Sequence, residues 1–420
     1  MTEIARQGRN FDVAGVPLKA EANAANPELA SCPFDPNRDE RKSARLAARH
    51  VKPEPGVEVI GNFGFAREIL RSPNVKQDGA GAEHIDVGNP EHMPVFYLDG
   101  EPHHTRRAAI VKFFTPRAIQ GRYIGVMQRT TDQLLARLRA SGTARLDEIS
   151  FELAVSVASE IVGLTESDGG RMARRLATFL RSTFSNAKGL ERRVNKLKEI
   201  WYGSQFYVID VLPAVRSRRK QRREDIISQT LDKGYSNRAI MIECMTYATA
   251  GMVTTREFIV MVAWHLFDRP ALREQFLAAD EEGQFAILQE ILRLEPIAAM
   301  IYRRAGEDIE TTSRGAVRAG SKFAIDMRAV NSDESAVGAC PYALDPDRAR
   351  RLNQNGTFMS FGDGSHRCPG WQVALNETRV FIDRLLRVPG IRLERAPDML
   401  WNAPLMSYEL RNAIIACDRG

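Results

Sequence analysis

A mainly α chain with a small β region is predicted by two patterns and one absence. Apolar positions recur at helical spacing through most of the stretch from Pro102 to residue 294. Short alternating runs of strand character gather near the N-terminal part and in the C-terminal third. No internal repeat or long linker divides the 420 residues, so a single domain over 1–420 is expected, with residues 1–50 as an irregular N-terminal segment.

The first fifty residues are polar, and Pro33, Pro36, Pro53 and Pro55 break any pattern there or just beyond. Val57 to Phe63 alternates enough for a short strand. Residues 76–98 hold few periodic apolar positions and contain Gly79, Gly81, Gly88 and Pro90. That composition predicts a long loop, and such loops in compact proteins are often functional. A helical pattern runs from Pro102 to about Gly142, then over 145–164, 168–188, 190–215, 222–232, 236–268, 270–280 and 283–294. In the longest of these Ser236 suits an N-cap, and Pro270 stands where the next helix begins. Strand-like pieces follow in 301–326, and an irregular stretch reaches about 360. An amphipathic segment covers Trp371 to Leu386, and strand signals return near 389–394 and 405–416.

No run of eighteen apolar residues occurs, so no segment is expected to span a bilayer. The opening MTEIARQGRNFDVAG lacks the apolar core of a signal peptide, which points to a soluble, cytoplasmic protein. The cysteines Cys32, Cys244, Cys340, Cys368 and Cys417 are far apart, odd in number and without a C-x-x-C pair. This excludes a zinc ribbon and argues against a disulfide framework: one cysteine with a task and four ordinary ones are expected. The densest basic run, Arg216 to Arg223, is followed at once by Glu224 and Asp225. It lacks interleaved aromatics and lies where a helix should end, so it reads as a solvated terminus, not a nucleic-acid patch.

Residues 361–370 read Phe-Gly-Asp-Gly-Ser-His-Arg-Cys-Pro-Gly. Three glycines within nine residues let the backbone pass close to a flat ligand. A thiolate offered by such a loop can ligate iron, with backbone N–H groups tuning the sulfur. A phosphate-binding loop is the plainer alternative, but its lysine and Ser/Thr are missing. The run resembles the heme-binding loop of the cytochrome P-450 family, Phe-Gly-x-Gly-x-His-x-Cys-x-Gly, at every fixed position.

Other segments match that family in order. Ala250-Gly251-Met252-Val253-Thr254-Thr255 stands midway along the 236–268 segment and resembles the family's Ala-Gly-x-acid-Thr-Thr, where the long central helix crosses the oxygen-binding face of the heme. The resemblance implies that Gly251 leaves room for dioxygen and that Thr254, with Thr255, belongs to the catalytic machinery. Thr254 can back-bond to a carbonyl and widen a turn. The family's acid, which relays protons as a general acid through water, is Val253 here. Thr255, Glu257 or a water chain is then left to deliver protons. Glu290-Ile-Leu-Arg293 resembles the family's Glu-x-x-Arg, with Arg348 as its third partner, and implies a structural role. His103 and Arg107 coincide with the family's His-x-x-x-Arg, with His104 as the competing register. Arg303 matches an arginine before an aspartate, with Arg304 as stand-in. Together with His366, these imply partners for the heme propionates.

The resemblance implies a triangular single-domain helical bundle around heme b, with Cys368 as the iron ligand and Phe361, His366 and Gly370 shaping the loop. It implies a monooxygenase placing one oxygen atom of O2 into a small, largely apolar organic substrate. The chain length leaves no room for a reductase, so electrons are expected from an acidic ferredoxin with its ferredoxin reductase. That partner would dock where Arg106, Lys112, Arg117 and Arg367 present positive charge. A monomer is expected, with neither nucleic acid nor membrane as partner. Substrate-lining candidates are Phe96, Tyr97, Phe179, Phe184, Trp201, Tyr202, Met300 and Met406, all equally ordinary as core residues. Val253 also raises an atypical oxidation driven by peroxide, ring coupling or nitration. A heme-binding protein without turnover is the third alternative.

Overall fold

The computed structural model describes residues 39–52, 55–78, 87–185, 187–403 and 405–420. Its architecture is mainly helical with small sheets. The expected helices form at Gly100–Ile110, Ile124–Ser141, Leu146–Val162, Gly169–Thr183, Gly189–Gln205, Ile226–Asp232, Pro270–Ala278, Glu281–Leu294 and Trp371–Leu386. None of the described helices is long and apolar enough to cross a membrane.

The central helix runs over Asn237–Tyr247, continues through a π turn at Ala248–Val253 and ends in Thr254–Asp268. Its start is fixed by the Ser236 hydroxyl, which accepts from the Ala239 N–H at 3.1 Å. Beyond Thr254 the residues from Phe258 to Ala263 are all buried. A helix that is apolar on every side must run through the interior. Here it packs against Leu146–Val162 and Trp371–Leu386.

Four strands form the largest sheet, in the order Glu58–Ile60, Lys322–Asp326, Met300–Ala305, Val75–Asp78. The first pair is parallel and the others antiparallel, with Ile301 opposite Ile325 and Arg303 opposite Gln77. This sheet fixes Arg303 and the start of the 76–98 segment side by side.

Several expectations need correction. The strand at Val57–Phe63 ends at Ile60. Phe63 instead opens a helix to Arg71, capped by the Asn62 side chain, which accepts from Phe65 N–H at 2.9 Å. The N-terminal segment is not irregular throughout: Ala44–His50 is helical, while residues 1–38 lie outside the described ones. The 76–98 loop begins as a strand and carries short turns at Pro90–His92 and Val95–Tyr97, with 79–86 outside the described residues. Near the C-terminus, Asp398–Asn402 pairs with Ser407–Arg411 in an antiparallel ribbon. Cys340 is disulfide-bonded, contrary to the expectation of four ordinary cysteines.

Candidate functional site

The cysteine loop is set by two backbone constraints. Gly362 and Gly364 have φ of +70° and +66°, the left-handed region that glycine enters freely. A Cβ on Gly364 would lie 2.0 Å from the Leu70 carbonyl oxygen, so the loop can rest on the end of the Phe63–Arg71 helix only with glycine there. The Cys368 N–H donates to the Phe361 carbonyl at 2.9 Å and closes the loop. Gly370 then caps the Trp371–Leu386 helix. Phe361 leans on Trp371 with ring centroids 6.4 Å apart, and the Arg367 guanidinium lies over Trp371. Among the described free cysteines, Cys244 and Cys417 are buried, and only Cys368 keeps part of its surface open. Burial pushes its thiol up, while the Gly370 N–H and the charges of Arg107 and Arg367 act the other way.

A second cluster adjoins this loop. His103 and His366 face each other with ring centroids 4.2 Å apart. His366 Nε2 lies 3.1 Å from Asp99 Oδ1, and Arg107 donates to the Arg367 carbonyl. Burial, then the charges of His366, Arg107 and His104, push His103 down to about 4, so its ring is neutral at pH 7. Burial likewise pushes the Arg303 guanidinium down to about 10, opposed only by Asp99. The cluster therefore joins two arginines and two imidazoles to one carboxylate. Such a set fits a group bringing two further carboxylates, as a heme does. Asp99, which orients His366, was not legible in the sequence because nothing in its spacing announces a partner 267 residues away.

The central helix supplies the opposite wall. Ala250 and Gly251 are exposed in the middle of a buried helix, and a Cβ added to Gly251 would meet nothing within 4 Å. Thr254 Oγ1 donates to the Ala250 carbonyl at 2.7 Å, beside the π turn Ala248–Val253. The hydroxyl thus takes up a carbonyl that the widened turn frees from the regular ladder. Thr255 is buried behind it. These features fit a flat cofactor on this face, with open space at Gly251.

Two other expectations fail here. Glu257 cannot serve as the proton donor. It is fully buried, its Oε1 accepts from Arg256 and Arg411, and its Oε2 accepts from the Leu410 N–H at 2.7 Å. Burial acts to raise its pKa, but these partners outweigh it and hold the carboxyl below the usual range. Arg106 presents no charge to a docking surface: it is 3% exposed and donates to Glu243 Oε1 at 2.8 Å. Lys112 and Arg117 are exposed as expected. Of the substrate-lining candidates, Phe184 borders a cleft beside Val253. Met300 instead lies in the core with Ala299 and Ala324, and Trp201 is 63% exposed on the outer face of its helix.

His103→Ala and Arg303→Ala each remove one polar partner from the cluster. Each is expected to weaken heme retention by about 1–3 kcal/mol. Transfer of heme to an excess of apomyoglobin measures this, and unchanged transfer rates in both variants would remove these residues from the site.

The pattern has known counterparts. A cytochrome P450 family model matches residues 285–388. The chain is 29% identical over 305 residues to mycinamicin IV hydroxylase/epoxidase of Micromonospora griseorubida, covering 70% of this chain and 72% of that one. It is 26% identical to nocardicin C N-oxygenase of Nocardia uniformis subsp. tsuyamanensis, covering 76% and 79%. Its fold is similar to the crystal structure of CalO2, with a TM-score of 0.72 at 22% identity over 90% of this chain and 95% of that one. Substrate-free CYP109E1 from Bacillus megaterium gives the same TM-score at 20% identity, over 90% and 97%. A half-open cysteine in its glycine loop, a cationic cluster beside it and a widened helix opposite all accord with these relatives: the chain belongs to the cytochrome P450 family of monooxygenases, and its cofactor is heme b.

Proposed function

We propose that this monooxygenase places one oxygen atom of O2 into a small, largely apolar organic substrate within a single heme domain over 1–420. The observation that carries the reading is the pairing of the Cys368 loop with the open turn at Gly251 and Thr254. Bound heme iron supplies the oxygen activation, and a thiolate ligand favours O–O cleavage. Cys368 Sγ would hold the iron, and His103, Arg107, Arg303 and His366 would hold the propionates. Gly251 keeps space clear on the facing side. Thr254 Oγ1 already donates to Ala250, so its lone pairs are free to accept from a water and fix it at the turn.

Electrons would come from an acidic ferredoxin with its reductase. Lys112 and Arg117 at the surface near the cysteine loop, with Arg367, give that partner a positive patch without Arg106.

Val253 decides how protons arrive. It is buried and lines a narrow cleft of about 20 Å3 together with Arg181, Arg256 and Arg411. A carboxylate installed there has guanidinium groups in the same cleft, which oppose the rise in pKa that burial brings, so both its protonated and its ionised forms stay accessible. Val253→Asp is therefore expected to raise the fraction of electrons ending in product and lower peroxide release, within the roughly 10²–10⁴-fold that general acid–base catalysis supplies. Product formed per reduced nicotinamide consumed is the measurement. A fall in that ratio, with peroxide-driven turnover intact in the parent, would favour an atypical oxidation instead.

A further inference from the structure

The helix Gly189–Gln205 carries its apolar side chains on the wrong side. It contains no buried residue, and Asn195, Glu199, Tyr202 and Gly203 are half-buried positions along one of its faces. A Cβ on Gly203 would lie 2.9 Å from the Phe179 ring, and Asn195 Nδ2 donates to Ser185 Oγ at 2.9 Å. That face therefore meets the helix Gly169–Thr183 and the turn after it. Half a turn round, on the outward face, stand Leu190, Val194, Leu197 and Trp201, with Leu190 75% and Leu197 68% exposed. A solvated surface helix turns polar side chains outward. A contiguous outward line of large apolar ones marks an interaction surface.

The steps along that line are four, three and four residues, the alternation of a coiled-coil seam. Such a seam is closed by a second helix. In an antiparallel pair about a two-fold axis between positions 195 and 196, Leu190 faces Trp201 of the second copy and Val194 faces its Leu197, each layer occurring twice. The same register sets Glu191 beside Lys198 of the second copy, also twice, and Arg193 beside its Ile200. Neither Glu191 nor Lys198 has an ion pair among the described residues of its own chain, whereas Lys196 pairs with Glu199 at 2.9 Å. The exposed line and its flanking charges are thus complementary to themselves. An anionic membrane would instead meet the Glu191 carboxylate at the edge of the line.

We propose that a second copy of this chain packs on this face as an antiparallel helix pair, which makes the protein a two-fold dimer. The dimer goes beyond the monooxygenase reading and replaces the monomer expected from the sequence. A single helix face is a small interface beside the roughly 1,200–2,000 Å2 of a stable complex, so the dimer exchanges with protomers on dilution.

Sedimentation equilibrium of the heme-loaded chain over about a hundredfold range of concentration tests this, with conversion of protomer to dimer as the expected result. Leu197→Glu places a carboxylate in the seam twice per dimer and is expected to raise the dissociation constant at least about thirtyfold. Glu191→Lys and Lys198→Glu each bring like charges together and are each expected to raise it at least about threefold. Their combination exchanges the two charges and is expected to restore the parent value, which neither a membrane nor another register would do. The three positions are exposed, so the unfolding temperature and the carbon monoxide spectrum of every variant are expected to match the parent. A protomer at every concentration, a dimer that tolerates Leu197→Glu, or a combined variant that fails to restore the parent value would overturn the proposal. So would a protomer that co-sediments with phosphatidylglycerol vesicles, which would assign the face to an anionic membrane.

Discussion

Cys368→His is expected to abolish the red-shifted Soret band of the ferrous carbon monoxide complex and with it all monooxygenase turnover. The sulfur is held by a loop whose shape leaves little freedom: Gly364 rests on the Leu70 carbonyl, and the Cys368 N–H is tied to Phe361. No other free cysteine among the described residues can take its place, because Cys244, on the central helix, is buried in the core and Cys417 packs against Leu138. Burial pushes the Cys244 thiol well up, so it is not a thiolate at neutral pH. An imidazole at 368 can still bind iron but lacks the anionic charge that pushes electron density toward it. Heme content is expected to be partly retained, which separates loss of the ligand from loss of the fold. Survival of the band in the variant would show that another residue ligates the iron.

Arg348→Ala is expected to destabilise the fold by about 3–5 kcal/mol, because it takes one of two cations from a buried carboxylate and leaves the Val337, Ala339 and Cys340 carbonyls without this donor. Glu290 accepts from Arg293 through both oxygens at 2.7 and 2.8 Å, and from Arg348 Nε at 3.0 Å. The two arginines also donate to carbonyls of Asn331, Val337, Ala339, Cys340, Pro341 and Ala343. This triad fastens the irregular stretch before the cysteine loop to the Glu281–Leu294 helix, and all three side chains are buried. Typical domains have only about 5–15 kcal/mol of net stability, so such a loss is a large share of it. Denaturant titration measures the effect. Glu290→Ala leaves two buried guanidinium groups and is expected to cost at least as much. A change below about 1 kcal/mol in both variants, the level of an exposed pair, would mean that the triad is not a fastening.

Local signals were legible in the chain wherever residues close in sequence do the work. The cysteine loop is of this kind, since its glycines, Phe361 and Cys368 lie within ten positions and shape one turn. So are the helices, whose apolar spacing and whose cap at Ser236 are local. The π turn at Ala248–Val253 is foreshadowed only in part, by Thr254 as a residue able to take up a freed carbonyl.

Pairings between distant residues were a different matter. Arg106 reads as a surface cation beside Arg107, yet one position along the helix turns it inward to Glu243, where a buried ion pair replaces solvent. Glu257 reads as a spare acid next to Thr254, yet Arg411 from the C-terminal ribbon consumes it. Helical spacing says which residues share a face, not what that face meets. The sequence by itself determined the cysteine loop, the order of the helices and the apolar Val253 beside Thr254, because each depends on neighbouring residues. Only the tertiary structure decided that His103 meets His366, that Asp99 orients that pair, and that Arg181 and Arg411 line a cleft with Val253. Those contacts join segments that the chain separates by tens to hundreds of residues, and burial then fixes which charges remain paired.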